Sequence, residues 1–269
     1  MPKAQINGFQ MNYRVEGEGS PLVMAHGLLA SIATMAVFGD VSDLLMGSFR
    51  VINYDAKGHG ESGHTTDPAD YEWEGLAEDM FRLLRQLGVE RVHIGGGSLG
   101  AGTGLVFAAD HPEMVEKLVL ISPPPIGQQA SAPLASLWGG LARLIEGLGL
   151  EEAVEIALRL EPWGALRESA PVIFEWIRQW LLSQDPEGIV LAIQGIVNGP
   201  ALPLERFAEI KAPTLIVAHP DDEMHPLASA EVLHKAIAGS RLIVAPDALY
   251  YSMHREEMSQ LIIDFLNGS

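Results

Sequence analysis

Val92-His93-Ile94-Gly95-Gly96-Gly97-Ser98-Leu99-Gly100 changes character in its middle. Its first residues form a short apolar run of the kind a buried strand uses, and Leu99 opens a stretch with helical character. Between them Gly96, Ser98 and Gly100 fit the pattern G-x-S-x-G, a sharp strand-to-helix turn that presents a serine in a strained, exposed position. The glycines have a mechanical reason, since such a turn brings backbone segments too close together for side chains. The helix that follows aims its first N–H groups towards the serine oxygen and favours negative charge there. Ser98 is therefore the candidate nucleophile, and a glycine-rich turn with an incidental serine is the plain alternative.

Working outward, six apolar runs share the strand-like character of Val92–Gly95. The others are Leu22–Ala25, Val51–Tyr54, Leu118–Ile121, Leu215–Ala218 and Leu242–Ala245. Short continuous runs bounded by turn residues suit strands buried on both faces, as in a parallel sheet. Helical patterns alternate with them. Trp73, Leu76, Ala77, Met80, Leu84 and Leu87 share one spacing, and Met258, Leu261, Ile262, Phe265 and Leu266 another. The expected fold class is α/β, a mostly parallel twisted sheet covered on both sides. From Pro123-Pro124-Pro125 to Pro203 the strand signal disappears. Four helices are expected there, over Leu134–Leu148, Glu151–Leu160, Val172–Leu182 and Ile189–Ile196. The domain reading is a core of residues 1–122 and 204–269 interrupted by a helical lid, 123–203.

Further segments then match a known family in its own order. His26-Gly27-Leu28-Leu29 follows the first buried run. Tyr54-Asp55-Ala56-Lys57-Gly58-His59-Gly60-Glu61-Ser62 follows the second, with lysine where the family usually has arginine. Ala212-Pro213-Thr214-Leu215-Ile216-Val217 and Ile262-Ile263-Asp264-Phe265-Leu266 come later. With the serine turn, these segments resemble the α/β-hydrolase superfamily over nearly the whole chain except the lid. The resemblance implies an oxyanion hole from the backbone amides of Leu28 and Leu99. It makes His26 and His59 structural. It implies an acyl-enzyme route through Ser98 with no metal or organic cofactor. Serine at the turn speaks against the aspartate-using dehalogenases and epoxide hydrolases of the family.

Triads in this fold run serine, acid, histidine. The loop His219-Pro220-Asp221-Asp222-Glu223-Met224-His225-Pro226 follows the Leu215–Ala218 run. The family's placement of its acid four residues before a proline selects Asp222. Counting three residues from the strand end selects Asp221. His219 and His225 raise a metal site, for which a solvated acidic turn is the simpler reading. The base is the difficulty. The family carries its histidine just after the last strand, where this chain reads Ala245-Pro246-Asp247-Ala248-Leu249-Tyr250-Tyr251. The histidine downstream is His254, at the start of the final helix, and it is the expected base. The alternative is that Ala248 stands where a catalytic histidine was lost, leaving an impaired enzyme or a binding protein.

Composition narrows the function classes. The chain has 269 residues, 48% of them hydrophobic, which is enough for a large core. A formal charge of -18 repels phosphate backbones and anionic membranes, so neither nucleic acid nor a membrane is an expected partner. With no cysteine, disulfides, thiolate metal sites and a cysteine nucleophile are excluded. The N-terminus lacks a signal-peptide pattern and no apolar run reaches spanning length, so a cytoplasmic protein is expected. The lid holds Trp138, Trp163, Trp176 and Trp180, four of the five tryptophans. A pocket walled by them would take a small hydrophobic ester or lactone, in a monomer or a homodimer. Carbon–carbon bond hydrolysis on the same constellation is the rival chemistry.

Overall fold

The computed structural model describes residues 1–35, 40–127, 132–160, 167–220, 222–247 and 249–268. Its centre is a sheet of eight strands in the order β1-β2-β4-β3-β5-β6-β7-β8. The strands are β1 (Lys3–Ile6), β2 (Phe9–Glu16), β3 (Pro21–Ala25), β4 (Arg50–Tyr54), β5 (Val92–Gly97), β6 (Val115–Ile121), β7 (Thr214–Ala218) and β8 (Arg241–Val244). From β4 across to β8 neighbouring strands pair in parallel, and the β1–β2 hairpin adds an antiparallel edge. The hairpin turns at Asn7-Gly8, where both residues have positive φ, as a tight two-residue loop requires.

The continuous apolar runs have a direct physical cause. Val23, Ile52, Ile94, Leu118 and Ile216 face one buried layer with helices α1 (Trp73–Gln86) and α2 (Leu99–Asp110). Leu22, Met24, Val51, Val119, Leu215 and Val217 face the opposite layer, where Met258, Ile262 and Leu266 of the C-terminal helix pack. Strands β3, β4, β5, β6 and β7 thus bury both alternating faces, and each large side chain so placed contributes about 1.5–3 kcal/mol. The edge strand β8, whose apolar run also predicts burial on both faces, leaves Arg241 and Val244 exposed.

Between β6 and β7 the described chain is helical: α3 (Ala132–Leu148), α4 (Leu150–Ala157), α5 (Pro171–Leu182) and α6 (Pro186–Asn198). Helix α6 starts where the Asp185 side chain accepts the Glu187 amide, with proline in its first turn. Gly188 of α6 meets Gly58 of the loop after β4 so closely that a Cβ on Gly188 would lie 2.6 Å from the Gly58 Cα. This contact seats the insertion against the core. After β7 comes α7 (Leu227–Ala236), and after β8 come α8 (Leu249–Met253) and α9 (Arg255–Asn267). Among the described residues, no helix is long and apolar enough to cross a membrane.

Candidate active site

Ser98 sits between β5 and α2 with φ 52°, a left-handed conformation costly for a side-chain-bearing residue. The turn closes because Gly96 and Gly100 carry no Cβ. One on Gly96 would lie 2.6 Å from the Gly100 carbonyl carbon, and one on Gly100 would overlap the Ala25 carbonyl. The Ser98 amide donates to the Ile121 carbonyl at 3.0 Å, tying the turn to the end of β6.

The loop after β3 lies against this turn, with Gly27 close enough that a Cβ there would be 3.6 Å from the Ser98 Cβ. Two buried histidines hold that region. His26 donates from Nδ1 to the Gly27 carbonyl (2.7 Å) and accepts the Ala56 amide at Nε2 (2.9 Å). Its burial keeps its pKa below the ordinary value despite the nearby Asp55 carboxylate. His59 packs 5.2 Å from His26, and burial, with His26 beside it, lowers its pKa to about 3. Both rings are therefore neutral struts. Asp55 completes the brace, accepting from the Ile32 amide (2.7 Å), the Asn12 side chain (2.7 Å) and the Glu61 amide (2.9 Å).

The decisive geometry comes from the loop after β7. His225 Nε2 lies 2.8 Å from Ser98 Oγ, and His225 Nδ1 lies 2.8 Å from Asp222 Oδ2. Asp222 turns the loop back on itself, its Oδ1 accepting the Met224 (2.9 Å) and His225 (3.0 Å) amides. Burial alone would raise its pKa. The hydrogen bond from His225, that ring's charge and the two amides outweigh burial and hold the carboxyl at about 2. His219 approaches the same oxygen, Nε2 to Oδ2 at 3.1 Å, while its Nδ1 donates to the Pro220 carbonyl at 2.9 Å. A hydroxyl, an imidazole and an ionised carboxylate in this series can take a proton from serine and hold it on the ring.

His254 is elsewhere, and the expectation that it would serve as the base is corrected. The chain after β8 enters α8, which carries it to the outer start of α9. There the His254 side chain is about half exposed (51%), stacked on Tyr250 at 4.3 Å and 3.7 Å from Glu257. The histidine that meets Ser98 is His225, which the sequence offers only as a candidate metal ligand. Its signal was its place three residues after Asp222 in a turn ending at Pro226, where one carboxylate reaches both backbone amides and the ring. Ala248, Asp221 and Trp163 lie outside the described residues. Among the described residues, no group of histidine and acidic side chains is placed to hold a metal ion.

A cavity of about 390 Å³ opens above Ser98, of a size that suits a small organic ligand. Leu28, Leu99, Trp138 and Trp180 line it, as do the unanticipated Trp73, Ser122 and Tyr251. Trp176 stacks behind Trp180, with ring centroids 6.1 Å apart, and is not part of the wall. The lining includes no lysine or arginine, and none of the residues outside the described set is one either.

A model of the alpha/beta hydrolase fold matches residues 20–149. The putative carbamate hydrolase RutD of Klebsiella pneumoniae is 30% identical over 212 residues, 75% of this chain and 74% of that protein. The chain belongs to the alpha/beta hydrolases. Another family member, the 2-hydroxy-6-oxo-6-phenylhexa-2,4-dienoate hydrolase of Comamonas testosteroni, is 27% identical across 97% of this chain and 92% of its own length. Among solved structures, the enol-lactonase of Burkholderia xenovorans LB400 superposes with a TM-score of 0.82 at 25% identity, covering 99% of this alpha/beta hydrolase and 100% of that chain.

Proposed function

We propose that this alpha/beta hydrolase is a serine hydrolase cleaving a carboxylic ester or lactone of a small hydrophobic substrate, with Ser98, His225 and Asp222 as its triad. The observation that carries the reading is the hydrogen-bonded series Ser98–His225–Asp222 at the floor of an apolar cavity. Ser98 Oγ attacks the carbonyl carbon as its proton passes to His225 Nε2. The Leu28 and Leu99 amides take the tetrahedral oxyanion, each fixed donor lowering the barrier by about 3 kcal/mol. Collapse expels the alcohol, which takes the proton from His225. Water then attacks the acyl-enzyme with His225 again as base, and the acid leaves as His225 returns that proton to Ser98 Oγ. Asp222 holds the ring by its Nδ1–H and balances its charge. The helices of 123–203 act as the lid. A base on Ser98 also removes the reason for reading Ala248 as the mark of an impaired enzyme.

Carbon–carbon bond hydrolysis is the second reading, favoured by the dienoate hydrolase that matches along nearly the whole chain. That relative's named substrate is a carboxylate, and a cavity wall without lysine or arginine favours an uncharged acyl group instead. The test is turnover of p-nitrophenyl butyrate beside that of 2-hydroxy-6-oxo-6-phenylhexa-2,4-dienoate, with fluorophosphonate labelling of the wild type and Ser98→Ala. Ester turnover and labelling that both vanish in Ser98→Ala support the proposal. Faster cleavage of the dienoate moves the assignment to the second reading, and an unlabelled, inert wild type overturns both.

A further inference from the structure

We propose that the lid holds the oxyanion-side loop in its working shape through Trp180, making Trp180 a positioning residue for the reaction; the inference rests on the serine-hydrolase reading above. Residues Gly27–Ala30 form a turn closed by the Ala30 amide on the Gly27 carbonyl at 3.1 Å. Its third residue, Leu29, has φ 65°, a conformation that favours glycine. A leucine stays there only when its surroundings hold it.

Those surroundings come from the insertion. The Trp180 indole Nε1 donates to the Leu29 carbonyl at 2.7 Å, across 151 residues of sequence. The Leu29 side chain is 3% exposed and packs with Ala142 and Ile145 of α3, Ala153 of α4, and Ile189 and Ile193 of α6. The core grips the loop at its two ends, where His26 meets the Ala56 amide and Asp55 meets the Ile32 amide. Besides the His26 Nδ1 bond to the Gly27 carbonyl at the start of the turn, the hydrogen bond that reaches Gly27–Ala30 from outside it, among the described residues, is that of Trp180. Its ring lies parallel to that of Trp176, with ring planes 6° apart.

The Leu29–Ala30 peptide that Trp180 holds donates its own N–H, that of Ala30, to the Gly27 carbonyl, and the Gly27–Leu28 peptide carries the Leu28 amide, which takes the oxyanion in the reading above. An amide displaced from its aim loses transition-state stabilisation while leaving ground-state binding largely intact. Trp180 thus acts on the chemical step through the loop, beyond its part in the cavity wall.

The experiment compares Trp180→Phe with Trp176→Phe, which removes an indole from the same helix face without touching Leu29. Turnover of p-nitrophenyl butyrate is expressed per site titrated to endpoint with a fluorophosphonate, so that misfolded protein does not count. An alkyl trifluoromethyl ketone, whose hemiketal places an oxyanion at the hole, reports the transition-state side. Trp180→Phe is expected to lower kcat and weaken the ketone by on the order of ten- to a hundred-fold, with KM within about two-fold. Trp176→Phe should leave all three near wild type. If Trp180→Phe gives no titratable sites, Trp180→3-benzothienylalanine removes the N–H at nearly unchanged shape and carries the same expectation. Unchanged kcat and ketone affinity, a rise confined to KM, or an equal loss in Trp176→Phe each overturn the inference while the serine-hydrolase reading stands. A wild type that neither labels nor turns over overturns that reading, and this inference with it.

Discussion

The loops after β7 and β8 leave the same end of the sheet, one strand apart, and have opposite compositions and opposite fates. The first, His219–Pro226, packs two histidines and Asp222 into one turn whose ring nitrogen reaches Ser98. The second runs through Ala245 into the short helix α8 and releases His254 towards solvent. Sheet order explains why the first can serve. β7 is two strands from β5 and β8 is three, so at about 4.8 Å per strand a side chain from β7 has roughly 10 Å to cover where one from β8 has roughly 14 Å. In the proposed reading the nearer loop supplies the base, and the farther one serves as a packing element. Tyr251 of α8 is accordingly buried edge-on against His219, 5.5 Å between ring centroids.

The sharpest way to break this comparison is to exchange the two histidines' fortunes. His225→Ala is expected to lower kcat by about 10⁵-fold or more, and His254→Ala to stay within about two-fold, in steady-state ester hydrolysis. The reverse pattern would return the base to the β8 side. Asp222→Asn should cost about 10⁴-fold in kcat, because an amide lacks the charge that holds and balances the His225 ring. Retained activity would shift the acid to Asp221.

On the β8 side the expected effects concern stability. Ile262 of α9 is fully buried against the sheet, so Ile262→Ala should destabilise by about 2–5 kcal/mol in denaturant melts with kcat per titrated serine unchanged. A selective loss of kcat would show that α9 takes part in the chemistry.

The smallest effect is in acid. Asp222 has a folded pKa near 2 against an ordinary 3.8, so its ionised form stabilises the fold above about pH 4. That contribution fades as the pH falls towards 2. The gap in melting temperature between wild type and Asp222→Asn should therefore be steady above pH 4 and close below it. A gap that persists at pH 2 would place its origin outside this carboxylate.

These residues also show what a sequence can carry. The strands were legible because burial on both faces leaves an unbroken apolar run, as in Leu215–Ala218, which needs no knowledge of neighbours. The serine turn was legible because its glycines are required locally, by contacts within five residues and with Ala25. Asp222 was legible as a position, being tied to the end of β7 and to Pro226. The edge strand β1 and its neighbour β2 lie outside the six apolar runs, since burial that alternates along a strand leaves no continuous run. His225 was not legible as the partner of Ser98, because that contact spans 127 residues and depends on which strand lies nearer to β5. Strand order is a property of the assembled sheet. The Trp180 contact with Leu29 was hidden for the same reason.

If Asp222 and His225 are acid and base as proposed, their three-residue separation makes the pair a cassette. Their relative placement is set within one turn by its two amides, so in the proposed triad the mutual geometry of acid and base does not rest on β8. Moved as a piece, residues 219–226 would take both groups to the end of another parallel strand. The receiving sheet would need to supply only a nucleophile two strands away.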